Sequence, residues 1–575
     1  MSDSAPTPPA GEATAERLPS SAARPARTPR SIKAAAIAGG LVAAFLFALL
    51  AMLVRSKYAP MDRGAFDEIN FHLPAIRQFS LEWPSFVLTD YLSATTPGYH
   101  VALASVLKVA GSLEAVRLSN LGISAAFLFL IAWAAARFRS KPSHPAERER
   151  LGPTSDRHDS ASTTLSRALL ALPLLASMHV LFPGVWLLPD NLAWLLVAAI
   201  VLLALHARWS VGVLVAMGFL VCMLVLVRQI HLWTAAVVWA WALFSEPRLV
   251  RVLSRASTSH EWMHEELLPT IRSSAGGATL LRLLAAVGIT LPAFVLVIAF
   301  ASVWGGLTPP SFQGQYHAAN PAAPAFVLAL FGLFSAFFLP ITLREFFAPR
   351  GASLRWPLAR FPWGLALAGG LCGFGLSVVP PTTYSMADGR WSGLWNIAGK
   401  LPTIAGHSSL LIVLLAVLGG AAFAFVLSRL CLRRAIVLFV TLAGFVAAQA
   451  ASFQLWQRYS EPMILMLLAI VTPLTLDAKR TTGRNRPELD DPPSGASASR
   501  AAPWLRAFDL APVLLALLLG AYAFVWLRRA QPADYYAFRV GDERIKAFVR
   551  GEPVEPVARG PVAPDVYWKP VDIAP

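Results

Sequence analysis

The chain has 575 residues, 56% of them hydrophobic and 14% charged, with a mean hydropathy of +0.55. A soluble domain carries about 25% charged residues, so the composition excludes a soluble globular protein and implies a polytopic membrane protein. The formal net charge of +16 would suit nucleic acid, but the basic residues sit between apolar runs, where they read as topology determinants.

In chain order, residues 1–30 are rich in Ser, Ala, Pro and Arg without apolar periodicity, and a disordered cytoplasmic tail is expected. The run 34–54 is too long for a signal-peptide core and reads as a retained spanning helix. A first outer loop, 56–95, follows. Further runs at 117–137, 166–183, 191–206, 209–227, 230–245, 279–303, 323–343, 361–380, 408–428, 434–452, 461–476 and 507–527 bring the expectation to about 13 spans. Segments 31–527 form the membrane domain, and 528–575 an outer-side tail.

The apolar stretch 96–112 decides parity. Basic residues cluster in 137–167, 248–255, 344–360, 429–434 and 479–506. If 96–112 is re-entrant or interfacial, all five clusters fall in the cytoplasm, as the positive-inside rule prefers. The Pro- and Ser-rich stretches 138–165 and 481–503 then read as flexible cytoplasmic linkers. No internal repeat is visible, which gives little support to a transporter built from two matching halves. Cys222, Cys372 and Cys431 lie in or beside apolar runs and are expected to be buried thiols.

On this topology six polar clusters share the outer side. They are Asp67 through His72, Pro189-Asp190-Asn191, Arg228-Gln229, Trp304-Gly305-Gly306 with His317 downstream, Ala387 through Arg390, and Gln457-Arg458-Tyr459. Charges at a membrane edge are costly unless they line a polar cavity. Acids and arginines gathered at one mouth suggest a chamber for an anionic lipid.

The first loop holds Asp62, Asp67, Glu68, His72 and Asp90 and ends in Thr95-Thr96-Pro97-Gly98. Adjacent Asp67 and Glu68 cannot both point to one spot on a regular helix, so one can act as base while the other orients it or binds sugar hydroxyls. The plain alternative is solvated charge. His72 suits either substrate binding or a headgroup-level hydrogen bond. Asp190 is either a helix N-cap or a second acid facing the chamber. Arg228 and Gln229 interrupt an apolar stretch too long for one helix, so a tight turn or broken helix is expected there. Arg228, Arg390 and Arg458 each offer a planar fork for a phosphate, or else snorkel at the interface. No cluster has metal-ligand spacing. An oxygen-rich Mg²⁺ or Mn²⁺ site on Asp67, Glu68 or Asp190 remains open.

The ordered set of clusters resembles the GT-C membrane glycosyltransferases, and within them the dolichyl-phosphate-glucose-dependent alpha-1,2-glucosyltransferase family. That family's Asp-Glu-x-x-His-x-Pro element is similar to Asp67-Glu68-Ile69-Asn70-Phe71-His72-Leu73-Pro74, which is one residue longer. Its Thr-Thr-Pro-Gly turn resembles Thr95 to Gly98, and its Arg-Leu-x-Asn resembles Arg117-Leu118-Ser119-Asn120. Asp190-Asn191, Arg228-Gln229 with Trp233, Val303 to Gly306 leading to His317, Ala387-Asp388-Gly389-Arg390-Trp391, and Arg458-Tyr459 before Pro462 continue the order. The family's Asn between Trp and Gly and its Gly-Asp-Lys stretch are absent here. The resemblance spans most of 35–476.

It implies an all-α, GT-C type polytopic fold and an inverting transfer of a hexose, glucose by analogy, from a polyprenyl-phosphate donor. The acceptor is a glycan or a lipid-linked glycan, with no nucleic-acid partner. Asp67 is the expected base, supported by Glu68 and Asp190, and Arg228, Arg390 and Arg458 are the phosphate ligands. His72, Thr96, Gln229, Trp304, His317, Asp388 and Tyr459 are expected to bind substrate. The Ala- and Arg-rich composition points to a bacterial inner membrane with the site facing the periplasm and undecaprenyl phosphate as carrier. A flippase for a lipid-linked glycan and a glycan-polymer ligase are the alternatives.

Overall fold

The computed structural model describes residues 29–58, 63–89, 91–137, 161–254, 268–315, 318–347, 361–482, 508–530, 534–536 and 558–561. These are almost wholly helical, and the protein is an all-α polytopic membrane protein. Eight described helices are long and apolar enough to cross a membrane: Ile32–Val54, Leu113–Arg137, Ala275–Trp304, Ala323–Leu343, Leu410–Ser428, Leu432–Ala450, Gln457–Leu476 and Ala511–Arg529. A ninth is formed if Thr164–Ala176 and Met178–Val185, bent by 67° at Ser177, count as one broken span.

Three more expected spans fold as the shorter apolar helices Asp190–His206, Val211–Val227 and Trp363–Val378. At 16 or 17 residues each is about 25 Å long, less than a hydrocarbon core of about 30 Å. The expected span 230–245 is divided into a 3-10 turn, Gln229–Trp233, and a helix, Thr234–Leu243.

Helix faces follow the medium. Along Ala275–Trp304, Leu280, Leu284, Leu291, Val295 and Ile298 are all exposed, the surface that a spanning helix turns to lipid. Where helices meet, small residues let backbones touch. A Cβ on Gly419 would lie 1.9 Å from the Leu328 carbonyl oxygen, and one on Gly373 would lie 2.2 Å from that of Ala416. Ala323–Phe347, Leu410–Ser428 and Trp363–Val378 therefore pack as a close triplet. The expected burial of the thiols fails for Cys372 and Cys431, which are exposed, while Cys222 is half-buried. Cys372 follows exposed Leu371, on a face that no described helix covers.

The two ends of the bundle differ. Ala34, Ala136 and Ala168 pack together at one end, and Leu49 lies over Gly184 beside Ser124 towards the other. The first helix and Leu113–Arg137 thus run antiparallel, and residues 58 and 113 reach the same end. The Gly98–Ala110 helix has only 13 residues. Its Tyr99 hydroxyl donates to Asn120 Oδ1 at 3.0 Å, while its C-terminus is joined to Leu113 by only Gly111 and Ser112. It folds back along the first turns of Leu113–Arg137.

Basic side chains gather at the Ala34 end. Arg433 donates to the carbonyls of Ala204 and Ala207 at 3.0 and 2.6 Å, and Arg434 to that of Leu205 at 3.3 Å. His206 there lies within electrostatic reach of Arg137. Residues 1–28, most of 138–165 and most of 481–503 lie outside the described residues, as do Asp62 and Asp90. In the C-terminal tail, Asp534–Tyr536 pairs antiparallel with Ala558–Pro561, and the first of these strands lies against the Glu68–His72 turn.

Candidate active site

The first loop folds as a short helix, Arg63–Asp67, a π-helical turn, Glu68–His72, and a helix, Leu73–Glu82. Successive residues point about 100° apart on such a path, so Asp67 and Glu68 diverge. Glu68 is fully buried. Both of its oxygens accept from Arg117, Nη2 on Oε1 and Nη1 on Oε2, and Oε2 also accepts the Leu187 N–H at 2.8 Å. Arg117 is itself 1% exposed and reaches the Val185 carbonyl. Glu68, expected to support Asp67 by orienting it or by binding sugar hydroxyls, joins the first loop to the Leu113–Arg137 helix and to the turn before Asp190. Its carboxylate is buried and takes three protein donors.

Asp67 points the other way. Its Oδ2 accepts from Arg458 Nη1 at 2.8 Å, with side chains 16% and 26% exposed. A second pair stands beside it, in which Arg228 Nη1 donates to Asp190 Oδ1 at 2.6 Å. One ring joins them. The Arg458 guanidinium carbon lies 5.0 Å and that of Arg228 5.3 Å from the centroid of Tyr459. Such cation–π contacts hold a guanidinium over an aromatic face. Two aspartates, two arginines and a tyrosine from four separate segments thus form one cluster whose four formal charges cancel.

Local sequence explains each placement. Arg228 is extended (φ −153°, ψ 107°) between the Val211–Val227 helix and the following 3-10 turn, the expected break in a long apolar stretch. The cap reading of Asp190 fails: Pro189 is the N-cap, and the Asp190 carboxylate goes to Arg228. Arg458 and Tyr459 occupy the first turn of Gln457–Thr482, where Trp456 stacks on Tyr459 at 5.7 Å and also faces the Arg458 guanidinium.

His72 faces the same four charges. Burial pushes its pKa down to about 4 against the pull of Asp67 and Asp190, so it is neutral near pH 7. Its Nδ1 lies 2.9 Å from Nε2 of buried His100. Thr96 and Gln229 clamp the loop rather than the cluster. Gln229 Oε1 accepts the Thr96 N–H at 3.0 Å, Gln229 Nε2 donates to the Ala94 and Leu307 carbonyls, and Thr96 Oγ1 donates to the Val225 carbonyl. Trp304 is buried, with its indole N–H on the Leu88 carbonyl at 2.6 Å.

Arg390 keeps a separate company. It pairs with Asp388 at 3.0 Å and donates from Nε to the Thr383 carbonyl at 2.9 Å. The exposed Asp388 carboxyl is held below its usual range by the Ser385 hydroxyl and by Arg390. Arg390 reaches the cluster only through neighbours, since Trp391 packs on Trp456 at 4.8 Å. The structure brings together Asp67, Asp190, His72, Arg228, Arg458 and Tyr459, and leaves Glu68, Thr96, Gln229, Trp304, Asp388 and Arg390 around them. His317 lies outside the described residues.

Sequence reasoning did not single out Glu461 and His179. Glu461 is buried and accepts from Ser177 Oγ at 2.5 Å and Gln457 Nε2 at 2.6 Å, with His179 Nε2 3.8 Å away. It ties the bend of the broken span to the turn that carries Arg458. An acid inside an apolar run was the available signal. Among the described residues no group of three or more His, Cys, Asp or Glu is placed to hold a metal ion, and Asp67, Glu68 and Asp190 each face a different arginine.

The chain matches no known protein family, no curated protein and no solved structure.

Proposed function

We propose that this cluster transfers a hexose from a polyprenyl-phosphate donor to a hydroxyl of a glycan or lipid-linked acceptor, on a GT-C type scaffold of about 13 crossings that include the short and broken helices. The observation that carries the reading is the double Asp–Arg arrangement around Tyr459 at the end of the bundle opposite the basic residues. Arg228 and Arg458 hold the phosphate. Asp67, the more exposed aspartate, is the base, and Asp190 keeps Arg228 in place. The acceptor oxygen bonds to the anomeric carbon as the bond from that carbon to the phosphate oxygen breaks. The acceptor proton passes to Asp67, and the bonding pair leaves on polyprenyl phosphate, which the arginines stabilise. Attack from the face opposite the leaving group inverts the centre. By the positive-inside rule the basic end lies in the cytoplasm and the cluster faces the periplasm of a bacterial inner membrane. Glucose and undecaprenyl phosphate are the first sugar and carrier to try.

The test is incubation of purified protein with a panel of polyprenyl-phosphate hexoses and cell-envelope glycan, with free polyprenyl phosphate read by mass spectrometry. Release that requires acceptor supports the reading, and absence of release across the panel counts against it. A flippase for the same lipid also uses broken helices and phosphate-binding arginines, but it is served by polar groups facing both sides.

A further inference from the structure

Arg458 and Arg228 each place Nη1 on a single aspartate oxygen, at 2.8 and 2.6 Å. The Nε atoms of both are buried and have no hydrogen-bond partner among the described residues. A guanidinium carries five N–H donors in a planar fork, and an unpaired buried donor is costly. One carboxylate oxygen therefore uses little of each fork. Carboxylate and phosphate present similar oxygens to such a fork, and phosphate offers more of them. The two pairs also differ in reach. Asp67 is 16% exposed and its arginine 26%, against 8% and 14% for Asp190 and Arg228.

We propose that Asp67 occupies on Arg458 the seat of the donor's phosphate, so that headgroup binding displaces Asp67 and frees the base in the same event. This rests on the phosphate-sugar reading of the site. Paired to Arg458 at 2.8 Å, the Asp67 carboxylate is held on that guanidinium and turned away from an incoming acceptor hydroxyl. Once the phosphate takes over the guanidinium, Arg458 stays compensated and Asp67 turns to the mouth, free to accept a proton. Asp190, the less exposed partner, stays on Arg228 and keeps that guanidinium pointed at Tyr459. Acceptor activation thus waits for the donor. No proton moves in the exchange itself: one anion replaces another on Arg458.

Asp67, the expected base, thereby competes with donor binding. Binding of farnesyl phosphate, with farnesol as the uncharged control, is measured by calorimetry on detergent-solubilised full-length protein. Asp67→Asn should bind farnesyl phosphate about tenfold tighter, with farnesol unchanged, and Asp67→Ser serves the same purpose if the first variant fails to fold. In an Arg458→Gln background the gain should disappear, because the competition runs through that guanidinium. Equal or weaker affinity in the Asp67 variants overturns the exchange. So does a gain that persists without Arg458, which would be through-space repulsion, or farnesyl phosphate binding no better than farnesol throughout. Exchange in a protein that transfers no hexose would sink the transferase reading alone. Turnover in the wild type with unaltered affinity in the Asp67 variants would sink the exchange alone.

Discussion

Glu68→Gln should cost stability rather than chemistry. The glutamate is fully buried and takes three donors, two from Arg117 and one from the Leu187 N–H. Glutamine keeps one acceptor oxygen and turns an NH₂ towards a donor, so the Arg117 guanidinium loses the carboxylate it pairs with at 1% exposure. Breaking a buried pair from one side costs about 3–5 kcal/mol. The loss should appear as a lower melting temperature of the detergent-solubilised protein, followed by the fraction that stays monodisperse on size exclusion. Replacing both partners removes the stranded charge, so Glu68→Gln with Arg117→Met should recover much of the loss. Surviving Glu68→Gln protein should still turn over substrate. Wild-type stability combined with abolished turnover would refute the positioning role and return Glu68 to the chamber.

Asp67→Asn should lower turnover by about 100-fold or more while its melting temperature changes less than that of Glu68→Gln, because its pair is partly exposed; steady-state kinetics and melting on one preparation check both. Arg228→Ala and Arg458→Ala should each weaken donor affinity by about 1.5–3 kcal/mol, the worth of a charge-assisted contact, read by calorimetry against an uncharged lipid. His72 binds fewer protons folded than unfolded between pH 4 and 6.5, so stability from this group is fully present above about pH 6.5 and is lost as pH falls towards 4. Melting curves across that window should be flatter for His72→Gln. Reporter fusions after Arg139 and Arg350 should read cytoplasm and one at Asp388 the opposite side; an external signal after Arg139 would mean that 96–112 crosses.

The helical, polytopic character is legible in the apolar runs alone, because a spanning helix must be apolar over most of its length. Their breaks are legible too: Arg228-Gln229 interrupts a run, and the backbone does turn extended there. Span length is not, since neighbouring helices decide whether 16 residues suffice. Asp67 and Glu68 are indistinguishable in sequence, and only the partners decide: Arg117 lies 49 residues away and Arg458 391 residues away. Arg390 looks like Arg228 and Arg458 in sequence, but a local turn supplies it with Asp388 two residues before. Glu461 draws its hydroxyl donor from Ser177, 284 residues distant, a tertiary pairing that no local pattern announces.

The most direct measurement uses proteoliposomes holding a polyprenyl-phosphate hexose labelled in the sugar, with soluble glycan acceptor on the side of the Asp67–Arg458 cluster. The label should move to the acceptor with inverted linkage, one polyprenyl phosphate appearing per sugar transferred, and Asp67→Asn should stop it. Label that changes leaflet while remaining on its lipid, in wild type and Asp67→Asn alike, would contradict the transferase reading.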